Sequence, residues 1–314
     1  MSDTFDVIVM ITEDHLPTFK KMIPYCRKNI PVKSIFAIAS PKLKKEIEMV
    51  PGITFVDENS VYSGLSYDAV QNIIENITGE RKRAGWYLQQ FLKMAWAYKS
   101  KDSRYISLDA DTFVLNPIRF TEGDRYLFTS KTEYHKPYFN CINRLFGGSV
   151  KRNVDFSFIA ENMVFDCKIM KEMITEIEKN EELDGDFFWE KILNAVDKDE
   201  LIWSGFSEFE TYGNYIFTRY PDKVKSRKLR TMREALVLLG GNPSSEQLSW
   251  ASADYDVISV ESIHYKKTLV TWLTSKAVFR RKVSMRKLAI LRHKLRTAYR
   301  RACRKDDFAL ERYE

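Results

Sequence analysis

Tyr105-Ile106-Ser107-Leu108-Asp109-Ala110-Asp111-Thr112 reads as a short apolar strand, Tyr105 to Leu108, running directly into two carboxylates. Residues two apart in extended backbone project to the same side, so Asp109 and Asp111 can converge on one hard cation or on its coordinated water. A pair of solvated loop aspartates is the plain alternative. The flanking residues favour the first reading. An apolar strand feeds the pair and Phe113 to Leu115 follow it, which puts the carboxylates at an otherwise buried sheet edge. Unpaired charge is costly there, and a cation removes that cost. Asn116-Pro117 closes the unit with a turn.

Working outward, Asp6 to Ile11 is an apolar run followed by Thr12-Glu13-Asp14 and a helical segment from Leu16 to Asn29. Ser34 to Ala39 and Ile53 to Val56 are further short strands, and Tyr67 to Ile77 is helical. Gly85 to Ala97 places Leu88, Phe91, Leu92, Ala95 and Trp96 on one broad helical face, with Gln89 and Lys93 sharing another. Later come a strand at Phe158 to Phe165, helices at Cys167 to Lys179 and Phe187 to Ala195, and late strands at Leu236 to Leu239 and Tyr255 to Val260. Strands alternating with helices predict an α/β fold with a largely parallel sheet. In such open sheets ligands bind at the strands' C-terminal ends, where the acidic pair stands.

Composition bounds the remainder. The chain has 314 residues, of which 44% are apolar and 13% aromatic, and only 12 are Gly and 9 Pro; this excludes disorder and collagen-like repeats and allows a sizeable core. The four cysteines form no C-x-x-C pair, so neither a zinc ribbon nor a disulfide framework is expected, and a reducing compartment fits. Met1-Ser2-Asp3-Thr4 carries no basic stretch ahead of a long apolar run, and runs such as Val7 to Ile11 are far short of the roughly 20 residues that cross a bilayer. Neither secretion nor a spanning anchor is expected. The net charge of +7 is a property of the tail: thirteen Lys or Arg and no acid lie between Lys276 and Lys305, leaving the rest of the chain at −6. The chain therefore divides near residue 270, into a catalytic domain over 1–270 and a basic helical tail over 271–314.

A divalent ion beside two carboxylates suits a diphosphate, because it neutralises the charge that develops on a departing phosphate oxygen. At this point the sequence resembles a known family. Tyr105 to Thr112 with Asn116-Pro117-Ile118 is similar to the D-x-D segment of A-type (GT-A) glycosyltransferases that use nucleotide sugars. Gly85 to Lys93 and Phe206-Ser207-Glu208-Phe209-Glu210-Thr211-Tyr212-Gly213-Asn214-Tyr215 resemble a bacterial family of glycosyltransferases from surface polysaccharide loci. The likeness spans roughly residues 5 to 268. It implies a Rossmann-like, mixed but mostly parallel sheet flanked by helices, with Asp109 and Asp111 at the metal and the diphosphate of a nucleoside-diphosphate sugar. In several such families a late histidine completes the metal site. His264 is the one candidate in that position here, although a structural histidine is the alternative. Imidazole beside carboxylates suits Mn²⁺ somewhat better than Mg²⁺.

The remaining candidates follow from the same likeness. Lys93 can offer its ammonium to the diphosphate, and the Gln89 or Gln90 amide can read the base or the sugar; an exposed helix face is the alternative for all three. Glu161 and Asn162 match the place where related transferases present polar groups to the donor sugar, although a helix cap also explains Asn162. Glu208 and Glu210 fall in an aromatic loop flanked by Gly205 and Gly213. Aromatic faces stack on sugar rings, and a carboxylate can accept the proton of an attacking hydroxyl, as an inverting transferase requires. A structural turn with its charges in water is the alternative. Between the two glutamates the reading leans to Glu208.

In the tail, Leu288, Leu291, Leu295, Ala298 or Tyr299, and Ala302 recur at helical spacing among basic residues, which predicts a basic amphipathic helix. The expected partner is the anionic inner leaflet of the plasma membrane, engaged through residues 276–305, rather than nucleic acid, because the stripe is apolar and has few stacking aromatics. Docking on a protein partner or on the domain itself is the alternative. The leading function is a metal-dependent transferase moving a sugar from a nucleotide donor to a glycan or glycolipid acceptor, of lipopolysaccharide or capsule type, at the cytoplasmic face of the membrane. Two competitors stand beside it. A haloacid-dehalogenase-type phosphohydrolase also uses two aspartates after a strand, but its usual Thr or Val four residues after the first aspartate is Phe113 here. A non-enzymatic adaptor binding membrane or nucleic acid through the tail is the other.

Overall fold

The computed structural model describes residues 4–260 and 268–302. Among the described residues there are eleven strands: β1 (Phe5–Ile11), β2 (Val32–Ala39), β3 (Ile53–Asp57), β4 (Arg104–Leu108), β5 (Thr112–Val114), β6 (Thr121–Glu122), β7 (Arg125–Thr129), β8 (Asn162–Asp166), β9 (Val224–Arg227), β10 (Thr231–Met232) and β11 (Val257–Ser259). By density of internal contact the chain forms two units. The first takes the chain up to Thr12, Val32–Leu108 and Phe120–Arg227; the second takes Glu13–Pro31, Asp109–Arg119 and the chain from Lys228 onward.

The first unit is built on a five-stranded sheet in the order β3-β2-β1-β4-β8, parallel throughout except for β8, which runs antiparallel to β4. All seven residues of β1 are buried. That is the pattern of a central strand covered on both faces, and it explains why β1 reads as a continuous apolar run rather than an alternating one. The order places β2 and β3 on one side of β1 and β4 on the other, so the chain reverses direction across the sheet between β1 and β4. Ligands of open α/β sheets bind outside the strand C-termini at such a reversal.

The helix Ala84–Lys99 packs on β1 and β4 and is flanked by helices Tyr67–Thr78, Cys167–Glu178 and Glu208–Arg219. It is buried almost all round from Tyr87 to Ala97, Gln90 and Lys93 included. The exposed polar face that its sequence suggests is therefore absent for Lys93, because a fourth helix covers it. A smaller sheet, β6-β7-β9, completes this unit. The second unit holds the sheet β10-β11-β5, and helix Leu16–Asn29 packs on β5, with Asn29 Nδ2 donating to Val114 O at 2.7 Å.

Most elements lie where the sequence places them, with three local differences, the first being that the strand expected from Phe158 begins only at Asn162. Leu236–Leu239, expected as a strand, is a short helix; its four apolar residues have no period that separates the two states. Glu208 and Glu210, expected in a loop, occupy the first turn of helix Glu208–Arg219, whose N-cap Ser207 accepts from Glu210 N–H at 3.2 Å. Ser-x-x-Glu is itself a helix-start signature. The tail does form a helix, Met285–Ala302.

Gly213 lies inside helix Glu208–Arg219, where a Cβ would stand 2.2 Å from Cγ of the fully buried Phe158. Helix propensity favours alanine by about 1 kcal/mol, whereas forcing the ring aside costs about 1–3 kcal/mol. Gly213→Ala should therefore lower stability by about 1–2 kcal/mol in urea denaturation; an unchanged or raised midpoint would show that Phe158 can move.

Candidate functional site

The chain leaves β4 at Leu108 and enters a tight turn rather than further strand. Thr112 N–H donates to Asp109 O at 3.2 Å, so Asp109-Ala110-Asp111-Thr112 is a β-turn. Asp109 and Asp111 are half-buried, and Ala110 between them is buried. The next strand, β5, pairs antiparallel with β11, and Val260 N–H donates to Asp111 O at 3.0 Å. Thr112 Oγ1 lies 2.8 Å from Ser259 Oγ and donates to Asp111 Oδ1 at 3.3 Å. The backbone of Asp111 is thus pinned by the β11 segment, and its carboxylate is oriented by the neighbouring threonine. His264, four residues along the chain from Val260, lies outside the described residues. Among the described residues no three His, Cys, Asp or Glu side chains gather as a metal-binding group. Two half-buried carboxylates on one turn are hard oxygen donors of the kind Mg²⁺ and Mn²⁺ take, with waters or phosphate oxygens supplying the other positions.

The first unit has its own set of buried polar groups. Lys93 Nζ donates to Glu208 Oε1 at 2.7 Å, with both side chains about 5% exposed, and it stands 4.4 Å from the centroid of Phe209. Gln90 Oε1 accepts from Glu208 N–H at 3.1 Å. Two of the three polar groups singled out on helix Ala84–Lys99 therefore converge on the first residue of helix Glu208–Arg219. Gln89 is half-buried and does not join them. Glu161, just before β8, pairs with Lys131 at 3.1 Å. Asn162 opens β8 opposite Leu108 and leaves its buried Oδ1 without a hydrogen-bond partner. It caps no helix. Glu210 is 1% exposed; its Oε2 accepts from Ser157 Oγ at 2.9 Å and Phe158 N–H at 3.0 Å, and its Oε1 from Asn214 Nδ2 at 3.3 Å. Burial pushes its pKa up, opposed by the bonds from Ser157, Phe158 and Asn214 and by the Arg152 charge. Glu210 thus ties the Ser157 loop to its own helix.

Sequence reasoning passes over the groups that hold the segment Trp203 to Glu208 along helix Ala84–Lys99. Arg83 Nε donates to Trp203 O at 2.5 Å and its Nη2 to Ser204 Oγ at 3.3 Å. Gly205 N–H donates to Tyr87 Oη at 3.4 Å, and Gln90 and Lys93 complete the series at Glu208. Gly205 is required there because a Cβ would stand 2.1 Å from Val196 Cγ1. Arg83, at φ 68°, is the one non-glycine residue with positive φ among those described, a conformation that costs on the order of 1 kcal/mol. Nothing in the sequence signals it. A groove of about 1130 Å³ lined by Asp102, Ser103, Asp166, Lys171 and Glu176 opens at the opposite, N-terminal end of β4. Its lysines and carboxylates are mixed, and it lies away from the edge where parallel sheets bind ligands.

The Lys93–Glu208 pair makes a quantitative prediction. Removing Lys93 leaves the Glu208 carboxylate buried without its ammonium, which costs about 3–5 kcal/mol, whereas replacing both with apolar groups is often close to neutral. Lys93→Met should therefore be strongly destabilising, and the Lys93→Met/Glu208→Met double variant should recover most of the loss in a urea-denaturation cycle. Additive losses would mean that the two groups are not coupled.

Three solved structures are similar to this chain. Mouse xyloside xylosyltransferase 1 in its apo form is 11% identical, with 82% of this chain and 98% of that one covered, at a TM-score of 0.43. The apo WbbM bifunctional glycosyltransferase is 13% identical over 83% and 46% of the two chains, at 0.43. The galactosyltransferase LgtC, with donor and acceptor sugar analogues, is 10% identical over 90% and 97%, at 0.42. Likenesses this distant carry no argument about activity. No curated protein sequence matches this one significantly. Residues 32–238, two-thirds of the chain, match the model of a family of unknown function, DUF6492, and the chain belongs to that family.

Proposed function

We propose that this protein is a metal-dependent GT-A glycosyltransferase that moves a sugar from a nucleoside-diphosphate donor to a glycan or glycolipid acceptor of the bacterial surface, of lipopolysaccharide or capsule type. One observation carries the reading: a parallel strand next to the chain reversal in the sheet, β4, leads directly into a turn bearing two half-buried carboxylates. A sheet edge of that kind binds nucleotides, and the carboxylates supply the donor set for a divalent ion.

In this reading Asp109 and Asp111, with His264, hold Mn²⁺ or Mg²⁺, which supplies neutralising charge to a departing diphosphate. Gln89, Gln90, Lys93, Glu161 and Asn162 bind and orient the nucleotide sugar. Glu208 is the base that takes the proton of the acceptor hydroxyl, a role that requires its contact with Lys93 to open, because both side chains are about 5% exposed. Support for choosing it over Glu210 comes from the hydrogen bonds: both oxygens of Glu210 are engaged by three donors of its own unit.

The tail is assigned to an anionic membrane surface at the cytoplasmic face. Leu291 and Leu295 are 53% and 62% exposed on helix Met285–Ala302 among basic residues, a composition suited to lying in the headgroup region. No helix among the described residues is long and apolar enough to cross a membrane.

A thermal-shift screen of nucleotide sugars with and without Mn²⁺ tests the transferase reading, since a donor at about 100 times its Kd stabilises the native state by about 2.7 kcal/mol. Asp111→Ala should lose the metal-dependent part of the shift. Glu208→Gln should keep it, from a lower starting melting temperature because the Lys93 ammonium loses its carboxylate, while losing about 10²-fold or more in transfer, and Glu210→Gln should retain transfer. A full metal-dependent shift in Asp111→Ala would refute the assignment. For the tail, deleting residues 276–314 should abolish cosedimentation with phosphatidylserine vesicles and leave the donor shift intact; retained vesicle binding would place the membrane contact elsewhere.

A further inference from the structure

We propose that helix Leu269–Thr274 of the second unit is an apolar anchor for an anionic phospholipid surface, its outward Leu269 and Trp272 entering the acyl boundary while Lys276 meets the headgroups. This deepens the membrane assignment of the tail and rests on that reading for the charge of the lipid. Both apolar residues precede the basic stretch 276–305.

The helix is amphipathic in the opposite sense to that of a helix lying on a protein core. Thr271 and Thr274, three residues apart and so on one face, are 7% and 0% exposed, whereas Leu269 and Trp272, likewise three apart, are 71% and 56% exposed. Hydroxyls point inward and large apolar groups outward. The inward face is satisfied by specific bonds: Thr274 Oγ1 donates to Leu238 O at 2.5 Å, Thr271 Oγ1 accepts from Thr268 N–H at 3.0 Å, and Thr271 N–H donates to Thr268 Oγ1 at 3.3 Å. A rotation that hid the apolar pair would break the Thr274 bond.

The following turn and helix hold this setting in place. Arg280 Nη1 donates to Thr274 O at 2.8 Å, Trp250 Nε1 donates to Val283 O at 2.9 Å, and Met285 is fully buried. The chain from Leu269 to Met285 is therefore fastened to the second unit at both ends. Among the described residues, the only ring or cation on the Trp272 indole is Lys276 Nζ, 5.0 Å from the ring centroid. An exposed indole on a fixed backbone, with a cation on its face, is preorganised for a boundary that is apolar on one side and negatively charged on the other.

Charge and spacing select lipid over a protein partner. Between Lys276 and Lys305 the chain has thirteen Lys or Arg and no Asp or Glu, so the occupant must be anionic over a long stretch. The exposed apolar residues continue along that stretch as Val278, Ile290, Leu291 and Leu295 on two further helices, with Arg280, Arg281 and Lys282 following Val278 and Arg292 and Lys294 between the two leucines. A protein partner would have to match each of these positions separately. An anionic bilayer offers hydrocarbon and negative charge at every lateral position, and tryptophan and lysine are the side chains suited to its boundary.

The test uses the full chain and phosphatidylcholine vesicles with and without phosphatidylserine, read by cosedimentation. The native protein should bind the phosphatidylserine vesicles, and Trp272→Ala and Leu269→Ser should each bind them about tenfold more weakly, with melting temperatures preserved because both side chains are exposed. Acyl chains brominated near the headgroup should quench the native tryptophan fluorescence and leave Trp272→Phe unquenched. Equal binding by Trp272→Ala and the native protein, or equal quenching of Trp272→Phe, overturns the proposal. So does concentration-dependent dimerisation that Trp272→Ala removes, which would make the helix a contact between copies. The double variant Leu291→Ser/Leu295→Ser reports on the tail separately. Weaker binding by that variant with native binding by Trp272→Ala leaves the tail assignment and removes the anchor. The reverse pattern keeps the anchor and removes the apolar stripe of the tail from the contact. Native protein that binds neither vesicle removes both.

Discussion

An ammonium and a carboxylate 2.7 Å apart and almost wholly withdrawn from water, Lys93 and Glu208, join the two helices around which the first unit is arranged. Each charge would be expensive to bury alone, so loss of either one destabilises the burial of the other. The pair fixes the start of helix Glu208–Arg219 against the middle of helix Ala84–Lys99. Gln90, Tyr87 and Arg83 extend the attachment back along the same helix to Trp203. The consequence is a segment, Trp203 to Glu208, whose backbone is bonded at nearly every turn of the neighbouring helix while its first side chain faces solvent and its last is enclosed.

That arrangement stands on a sheet whose order reverses between β1 and β4. Packing on both faces suits the apolar run Val7 to Ile11 of β1, although Asp6 is buried in the same strand. This packing lapses at Leu108, where β4 ends and the chain turns through Asp109 and Asp111. The turn is secured from the β11 side through Asp111 O and the Thr112–Ser259 contact.

Surface chemistry differs between the two units in kind. Among the described residues, the large apolar side chains that the first unit exposes are mostly aromatic and those that the second exposes are mostly aliphatic, Trp272 excepted.

Much of this was legible in the chain itself. Helix Leu16–Asn29, the run of β1 and the end of β4 at Leu108 follow from periodicity and turn residues, because the forces that decide them act over a few neighbours. The acidic pair was legible as a pair, although its backbone proved to be a turn rather than strand. Long-range contact decided the remainder. Lys93 reads as a solvated helix position, and only a covering helix more than a hundred residues away makes it a buried partner of Glu208. Glu210 reads as a companion of Glu208, yet the loop at Ser157 and Phe158 binds both it and the space beside Gly213. The left-handed Arg83 and the exposed Trp203 have no local signature at all. Their conformations are set by groups that meet only once the chain has folded, and desolvation, which gives those meetings their energy, is a property of the packed molecule and not of the residue order.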